Sequence, residues 1–75
     1  MTFNSLRNVY MNTDDEETIS NAFNQFVNEE STRTENGDEI VELYSDVQAD
    51  IFEHIAKSLK CSVTRLSYLK VAIHQ

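Results

Sequence analysis

Three side chains are the candidates for metal binding or nucleophilic chemistry in this chain: His54, Cys61 and His74. On a helix, His54 and Cys61 would share one face, because they are seven residues apart. Two ligands do not close the tetrahedral site that zinc prefers. We therefore expect no metal and no cofactor, with Cys61 as a small buried apolar group in a turn and His54 at the surface or at its boundary with the core.

The sequence offers no motif for enzymatic catalysis. Its single glycine excludes a glycine-rich loop that would cradle an anion, and no nucleophile elbow is present. A chain of 75 residues buries only about 60% of the surface that it exposes when unfolded, which leaves little room for a catalytic cleft. We therefore predict that the protein is not an enzyme.

Acidic side chains dominate one half of the chain. Residues 1 to 45 hold two arginines and ten acidic residues, a net charge of −8, whereas residues 46 to 75 have a net charge of +1. An acidic surface attracts basic partners, although such a surface also maintains solubility without any partner. We predict a small regulatory protein, an inhibitor or adaptor, that binds and modulates another protein with a basic surface. The predicted partner-binding residues are Asp14, Asp15, Glu29, Glu30 and Glu35.

One helix is strongly indicated in the acidic half. Thr13 and Glu16 form a T-x-x-E capping box, so a helix of roughly 15 residues is predicted to begin there. Apolar residues then recur at helical spacing and form one stripe: Ile19, Ala22, Phe23, Phe26 and Val27. The apolar residues of the preceding segment, 2 to 10, are compatible with a short helix or with a strand.

The segment from 38 to 59 has two interpretations. A polar loop precedes it, in which Asn36 and Gly37 favour a two-residue hairpin turn. Apolar residues follow a helical stripe through the segment and favour one long helix: Ile40, Tyr44, Val47, Ile51, Ile55 and Leu59. The alternative is a strand over 39 to 44 that ends at an S-x-x-Q capping box, Ser45 to Gln48, where a new helix begins.

The stretch from 51 to 73 has the spacing of a helix-turn-helix unit. Its apolar residues are Ile55, Ala56, Leu59, Cys61, Leu66 and Leu69. The run AKSLKCSVTRLSYL, Ala56 to Leu69, resembles the first such unit of AraC-type transcription activators. The resemblance implies that Ser62 caps a second helix and that Thr64, Ser67 and Tyr68 face a DNA major groove.

That resemblance provides a second functional hypothesis. Under it the protein is a DNA-binding transcription regulator, dimeric so that two weakly basic units share one operator. Lys60 and Arg65 would contact phosphates. A plain helical hairpin with the same apolar positions would give the same pattern without binding DNA.

Taken together, the patterns predict an all-α fold. We expect one domain over residues 1 to 75, a bundle of three or four helices with an acidic half over 1 to 45 and a helix-turn-helix-like half over 46 to 75. The predicted core is Ile19, Phe23, Phe26, Val47, Ile51, Ile55, Leu59, Leu66, Leu69 and Ile73. The alternative is an α+β fold, two helices on a small antiparallel sheet with strands at 2 to 10, 31 to 35, 39 to 44 and 64 to 73.

Two further expectations concern partners and location. A small chain with a long apolar stripe buries more apolar surface when it pairs with a second copy of itself, so a homodimer is also predicted, in addition to the complex with another protein. The chain has one cysteine, no apolar run long enough to span a membrane and no signal-peptide pattern. We therefore expect a cytoplasmic protein with no membrane contact.

Overall fold

The computed structural model of the protein describes residues 1 to 74. In chain order the elements are α1 (Phe3–Asn12), α2 (Glu16–Glu30), β1 (Ser31–Arg33), β2 (Glu39–Glu42), α3 (Asp46–Ser58), β3 (Val63–Arg65) and β4 (Lys70–Ile73). The strands form one antiparallel sheet in the order β1-β2-β4-β3. The protein is therefore α+β, and the predicted all-α bundle is wrong. The alternative strands at 31 to 35, 39 to 44 and 64 to 73 overlap the sheet, whereas the strand expected at 2 to 10 is helix α1.

The two faces of the sheet have different surroundings. Val41 on β2 pairs with Val71 on β4, and both side chains are fully buried against the helices. Alternation along the strands places Thr32, Ile40 and Ala72 on the opposite face. The sheet therefore contributes one face to the core and leaves the other without a covering layer in the described part of the chain.

Phenylalanine rings form the centre of the core. The rings of Phe23 and Phe52 stack with centroids 5.2 Å apart, and Phe26 lies 5.7 Å from Phe52 and 6.2 Å from Phe3. Such ring pairs add stabilisation beyond the area that they bury. The remaining core residues are Leu6, Ile19, Ala22, Val27, Val41, Leu43, Ala49, Ile55, Ala56, Val71 and Ile73.

Helix α2 follows the predicted stripe but begins later than predicted. All five residues of the stripe are buried. The hydroxyl of Thr13 accepts a hydrogen bond from the Asp15 amide (3.1 Å), and Asp15 is the N-cap residue of a helix that starts at Glu16. The T-x-x-E pattern therefore orders the approach to the helix and does not cap it.

The long helix predicted over 38 to 59 is wrong, because the chain makes strand β2 and then begins α3 at the S-x-x-Q pattern. The Ser45 hydroxyl accepts a hydrogen bond from the Gln48 amide (3.1 Å), and the Gln48 side chain accepts one from the Tyr44 amide (3.3 Å). The buried face of α3 is Ala49, Phe52, Ile55 and Ala56. Val47 is therefore exposed and Ile51 only half-buried, contrary to the predicted core.

The helix-turn-helix geometry predicted for 51 to 73 is also wrong. Helix α3 ends in a Schellman turn, with the Lys60 amide bonded to the Lys57 carbonyl (3.0 Å) and the Cys61 amide to the Ala56 carbonyl (3.0 Å). Lys60 takes the left-handed conformation that this turn requires (φ 62°). The chain then forms the hairpin β3–β4, in which the Ser62 carbonyl accepts a hydrogen bond from the His74 amide (2.9 Å). Ser62 therefore lies beside the sheet and does not cap a second helix. Within the predicted core, Leu66 is therefore exposed, and Leu59 and Leu69 are half-buried.

The turn between β1 and β2 uses the chain's single glycine. The Thr34 carbonyl accepts from the Gly37 amide (3.0 Å), and the Asp38 carbonyl accepts from the Thr34 amide (2.8 Å). Gly37 has a φ of 87°, which favours glycine. This is a three-residue hairpin loop, one residue longer than the predicted Asn-Gly turn.

Across residues 1 to 74, no helix combines the length and the apolar character that crossing a membrane requires.

Candidate protein-binding surface

Large apolar side chains that point into solvent are concentrated at one end of the molecule. Tyr44 (93% exposed) and Val47 lie where β2 passes into α3, and Leu66 and Tyr68 (80% exposed) lie in the turn between β3 and β4. We call these four residues the aromatic turn face. Of the large hydrophobic residues exposed in the described chain, only Met11 on α1 lies outside it. Exposed apolar residues that cluster in this way mark interaction sites.

Backbone hydrogen bonds bring the two turns together. The Leu43 amide donates to the Leu69 carbonyl (2.7 Å), which extends the pairing of β2 with β4 by one step beyond Glu42 and Lys70. The Leu66 amide donates to the Lys70 carbonyl (2.9 Å) and closes the second turn. The two turns that carry the aromatic turn face are therefore joined at one end of the central strands and are not independent loops.

The side chain of Arg65 holds the second turn against α3. Its guanidinium donates to five acceptors: the carboxylates of Asp50 (2.6 Å) and Glu53 (3.1 Å) and the carbonyls of Ser67 (2.9 Å), Tyr68 (3.0 Å) and Asp46 (3.3 Å). All three nitrogens are used, so the planar fork fixes its neighbours in position. Tyr68 is thereby presented on a backbone that the arginine orders.

Two pKa shifts accompany this network. The hydrogen bond to Asp50 raises the pKa of Arg65, which keeps the guanidinium charged. Lys57, which lies 3.0 Å from Glu53, lowers the pKa of that carboxyl by its hydrogen bond, and Arg65 lowers it further. Glu53 and Lys57 form an ion pair one helical turn apart on α3, and this pair belongs to the support of the turn.

A groove next to Tyr44 carries acidic side chains. It encloses about 530 Å³ and is lined by Glu30, Thr32, Ile40, Glu42, Leu43, Tyr44 and Lys70. A smaller groove of about 120 Å³ shares Glu30, Glu42, Leu43 and Tyr44 with it and reaches toward Phe3 and Phe26. We call the larger one the Glu30–Glu42 groove. Within residues 1 to 74, neither of its carboxylates belongs to an ion pair.

No protein-family model, curated protein or solved structure matches this chain. The likeness to an AraC-type unit therefore stays a prediction, and the site itself carries the functional argument.

The five predicted partner-binding residues do not form one surface. Asp14 and Asp15 precede α2, whereas Glu29 and Glu30 end it, roughly 20 Å away at 1.5 Å per residue. Glu35 lies in the turn between β1 and β2. Glu30 borders the aromatic turn face through its groove, and Glu42 and Tyr44 are the neighbours that sequence reasoning missed.

One of these acids has an internal role. Both carboxylate oxygens of Glu29 lie 2.7 Å from the amino group of Met1. The hydrogen bond from the N-terminal ammonium group lowers the pKa of Glu29, with help from Gln25. This contact ties the start of α1 to the end of α2, so Glu29 is less available to a partner than Glu30.

The predicted DNA-binding residues are dispersed. Lys60 lies in the turn that ends α3, Thr64 and Arg65 are on β3, and Ser67 and Tyr68 are in the following turn. No helix carries them, and the Arg65 guanidinium is occupied by its five acceptors. The set therefore lacks the shared helix face that a recognition helix presents to a major groove.

A line of three polar side chains crosses the open face of the sheet. The His74 ring has Nε2 2.7 Å from the Thr64 hydroxyl and Nδ1 3.3 Å from the Asp38 carboxylate. Carboxylate, imidazole and hydroxyl in this order activate a nucleophile in hydrolases. These contacts connect the β1–β2 turn to β3 across the sheet. Within residues 1 to 74, no group of three or more potential metal ligands comes together.

Proposed function

We propose that this protein is a non-enzymatic regulatory protein of the cytoplasm that binds and modulates another protein carrying a basic surface. The observation that supports the proposal is the aromatic turn face together with the Glu30–Glu42 groove beside it. The single cysteine, which has no partner in the chain for a disulfide, fits a reducing compartment.

Two of the four residues of the face are tyrosines, a residue type that is enriched at binding hot spots. Tyrosine is enriched in protein interfaces because its ring contributes a large contact area and its hydroxyl a hydrogen bond. Tyr44 and Tyr68 leave most of their surface in water in the free protein. A partner that covers both rings would gain the hydrophobic stabilisation that folding leaves unused here.

Charge adds direction to that contact. The chain has a net charge of −7, so its field attracts a basic protein from a distance and repels an acidic one. Near the face, Glu30 and Glu42 are available for direct pairing. Electrostatic complementarity of this kind mainly raises the association rate and the specificity.

The DNA-binding alternative has less support from the geometry. It requires a recognition helix after Ser62, where the chain forms the hairpin β3–β4. Arg65, one of its phosphate-contacting residues, is held by Asp50 and Glu53. The net charge of −7 also opposes approach to phosphate.

Comparative capture from the native host tests the proposal. The immobilised chain, a Tyr44→Ser/Tyr68→Ser variant and a Met11→Ser variant are each incubated with host lysate, and the bound proteins are quantified by mass spectrometry. Met11 is the matched control because it is exposed but lies outside the face. We expect a basic protein that the wild type and the control retain and the double tyrosine variant loses.

Equal capture by all three chains would show that the face does not bind, and the proposal would fall. A captured protein whose retention depends on Thr64 and Lys60 but not on Tyr44 would also count against it. Each variant must keep the far-ultraviolet circular dichroism of the wild type, so that a loss of capture reports on the surface.

A further inference from the structure

We infer that the Glu30–Glu42 groove binds the guanidinium group of an arginine from a basic segment of the partner. This rests on the proposed function, since it names the chemistry that the binding surface would recognise. Three observations support it: the two carboxylates, the ring of Tyr44 and the character of the groove floor. A fourth, the position of Lys70, limits the number of cations that the groove can hold.

The first observation is an unfavourable arrangement of charge in the free protein. Ser31 on β1 pairs with Val41 on β2. Glu30, the last residue of α2, immediately precedes Ser31, and Glu42 on β2 immediately follows Val41. Both line the same two grooves. Like charges that line one groove repel one another, and a cation seated between them would reduce that repulsion.

The second observation concerns the shape of the cation. A guanidinium group is planar and presents five N–H donors, so it can bridge two carboxylates, whereas an ammonium group acts as a point charge. The Tyr44 ring borders both grooves and is 93% exposed, so its face is available for stacking with a planar cation. The site therefore favours arginine over lysine.

The third observation is the groove floor. Thr32 and Ile40 are paired across β1 and β2 and line the groove beside the two carboxylates. Ile40 is half-buried and offers an apolar surface on the open side of the sheet. The methylene stem of an arginine packs on such a surface while its charged end reaches an acid.

The fourth observation limits the site to one cation. Lys70 is paired with Glu42 across β2 and β4 and lines the same groove, but it makes no ion pair within the described residues. Its ammonium group competes for Glu42 and repels a second incoming cation. Replacing Lys70 by alanine should therefore strengthen binding of a single arginine.

Nuclear magnetic resonance with short peptides tests the inference. The ¹⁵N-labelled full chain is titrated with an acetylated and amidated Gly-Gly-Arg-Gly-Gly peptide, with its lysine counterpart and with its citrulline counterpart, which is nearly isosteric with arginine but uncharged. We expect saturable shifts of the amides of Glu30, Thr32, Glu42 and Tyr44 with arginine. Lysine should bind several-fold more weakly, and citrulline should give no saturable shift at these amides.

Two charge-matched variants locate the binding. Glu30→Gln/Glu42→Gln should weaken the arginine peptide by about tenfold or more, because two charge-assisted hydrogen bonds are lost. Glu17→Gln/Glu35→Gln removes the same charge at exposed positions away from the groove and should leave the affinity unchanged. Lys70→Ala should tighten binding severalfold.

The inference is overturned if both double variants bind equally, or if the peptide shifts spread over Asp14 to Glu17. It is also overturned if the same amides move with protein concentration before peptide is added, since a second copy of the chain would then occupy the groove. If the arginine peptide fails but Tyr44→Ser/Tyr68→Ser still abolishes capture, this inference is wrong and the proposed function stands. If the peptide binds in the groove and capture by the tyrosine variant is unaffected, the groove recognises arginine but the proposed function is wrong.

Discussion

The chain places its two kinds of aromatic side chain in opposite surroundings. All four phenylalanines are buried, and three of them meet the fourth, Phe52, directly or through Phe26. Of the three tyrosines, Tyr44 and Tyr68 are exposed, and Tyr10 is half-buried with its ring in a T-shaped arrangement with that of His54. The phenylalanine cluster stabilises the fold, whereas the exposed tyrosines add little to it. Rings that the fold does not bury are available to a partner.

The largest effect on stability should follow from removing the ring at the centre of the phenylalanine cluster. Phe52→Ala removes a fully buried ring, and we expect a loss of about 3 to 5 kcal/mol in the free energy of unfolding. That is a large share of the roughly 4 to 11 kcal/mol expected for a domain of 75 residues. Urea unfolding followed by circular dichroism measures it. Phe52→Leu, which keeps more of the volume, is the control and should lose less.

A smaller effect on stability is expected where helix α3, which carries Phe52, begins next to the exposed Tyr44. Ser45 caps α3 immediately after Tyr44, and Ser45→Ala should lower the free energy of unfolding by about 1 kcal/mol. It should also increase the motion of the Tyr44 amide in relaxation measurements, because Gln48 and Ser45 form one capping arrangement. Ser45→Asp retains an acceptor and should restore both quantities. An unchanged unfolding midpoint in Ser45→Ala would show that the cap contributes nothing.

Acid should weaken the ion-pair network of Arg65, Glu53 and Lys57 that supports the turn carrying Tyr68. The pKa of Glu53 lies below its ordinary value of 4.5 in the folded chain, chiefly because of Lys57. Its contribution to stability is therefore complete above pH 4.5 and is lost as the pH falls through the lowered pKa. Glu29 acts with the same sign. The melting temperature of the wild type should fall over this window.

The matched variant for the acid experiment is Glu53→Gln. It should melt below the wild type at pH 7 and show a shallower fall in acid, because one of the two shifted carboxyls is gone. Identical pH profiles for the two chains would mean that the ion pairs of Glu53 with Lys57 and Arg65 do not contribute to the stability of the fold.

The smallest effect on stability is expected at the exposed rings. Tyr44→Ser and Tyr68→Ser should each change the free energy of unfolding by no more than about 0.5 kcal/mol, although both should reduce partner binding. Chemical unfolding of the purified variants decides this. A loss of stability comparable to that of Phe52→Ala would show that the tyrosines also stabilise the fold, and the contrast between the phenylalanine cluster and the exposed tyrosines would then be wrong.

Sequence reasoning succeeded where the local pattern and the tertiary environment agree. The stripe from Ile19 to Val27 is buried as predicted, because a helix whose apolar residues lie on one face has one way to face a core. It failed over 38 to 59, where a second apparent stripe continued through Tyr44 and Val47. Both residues are exposed, and the local S-x-x-Q cap was the more reliable signal.

The antiparallel sheet was predicted only as the alternative to the all-α bundle, for a different reason. Val71 to Ile73 are all buried, and their pattern is also compatible with a helix. These residues form a strand because they pair with β2. That pairing joins distant parts of the chain, so it cannot be predicted from the local sequence pattern. The candidate site depends on the same pairing, so Glu30 was predicted from its charge, while Glu42 and Tyr44 became visible only in the fold.

The strand order constrains how the molecule folds. β1–β2 and β3–β4 are hairpins with short turns, and the two hairpins are joined by the central strand pair β2–β4. In the sequence, α3 and β3 lie between these two central strands. A two-stranded hairpin is marginally stable in water by itself. Closing the central pair therefore fixes α3 and joins the hairpins in one step, at the entropy cost of a long loop. Either half of the chain, expressed separately, should remain largely unfolded, and the two should gain structure when mixed.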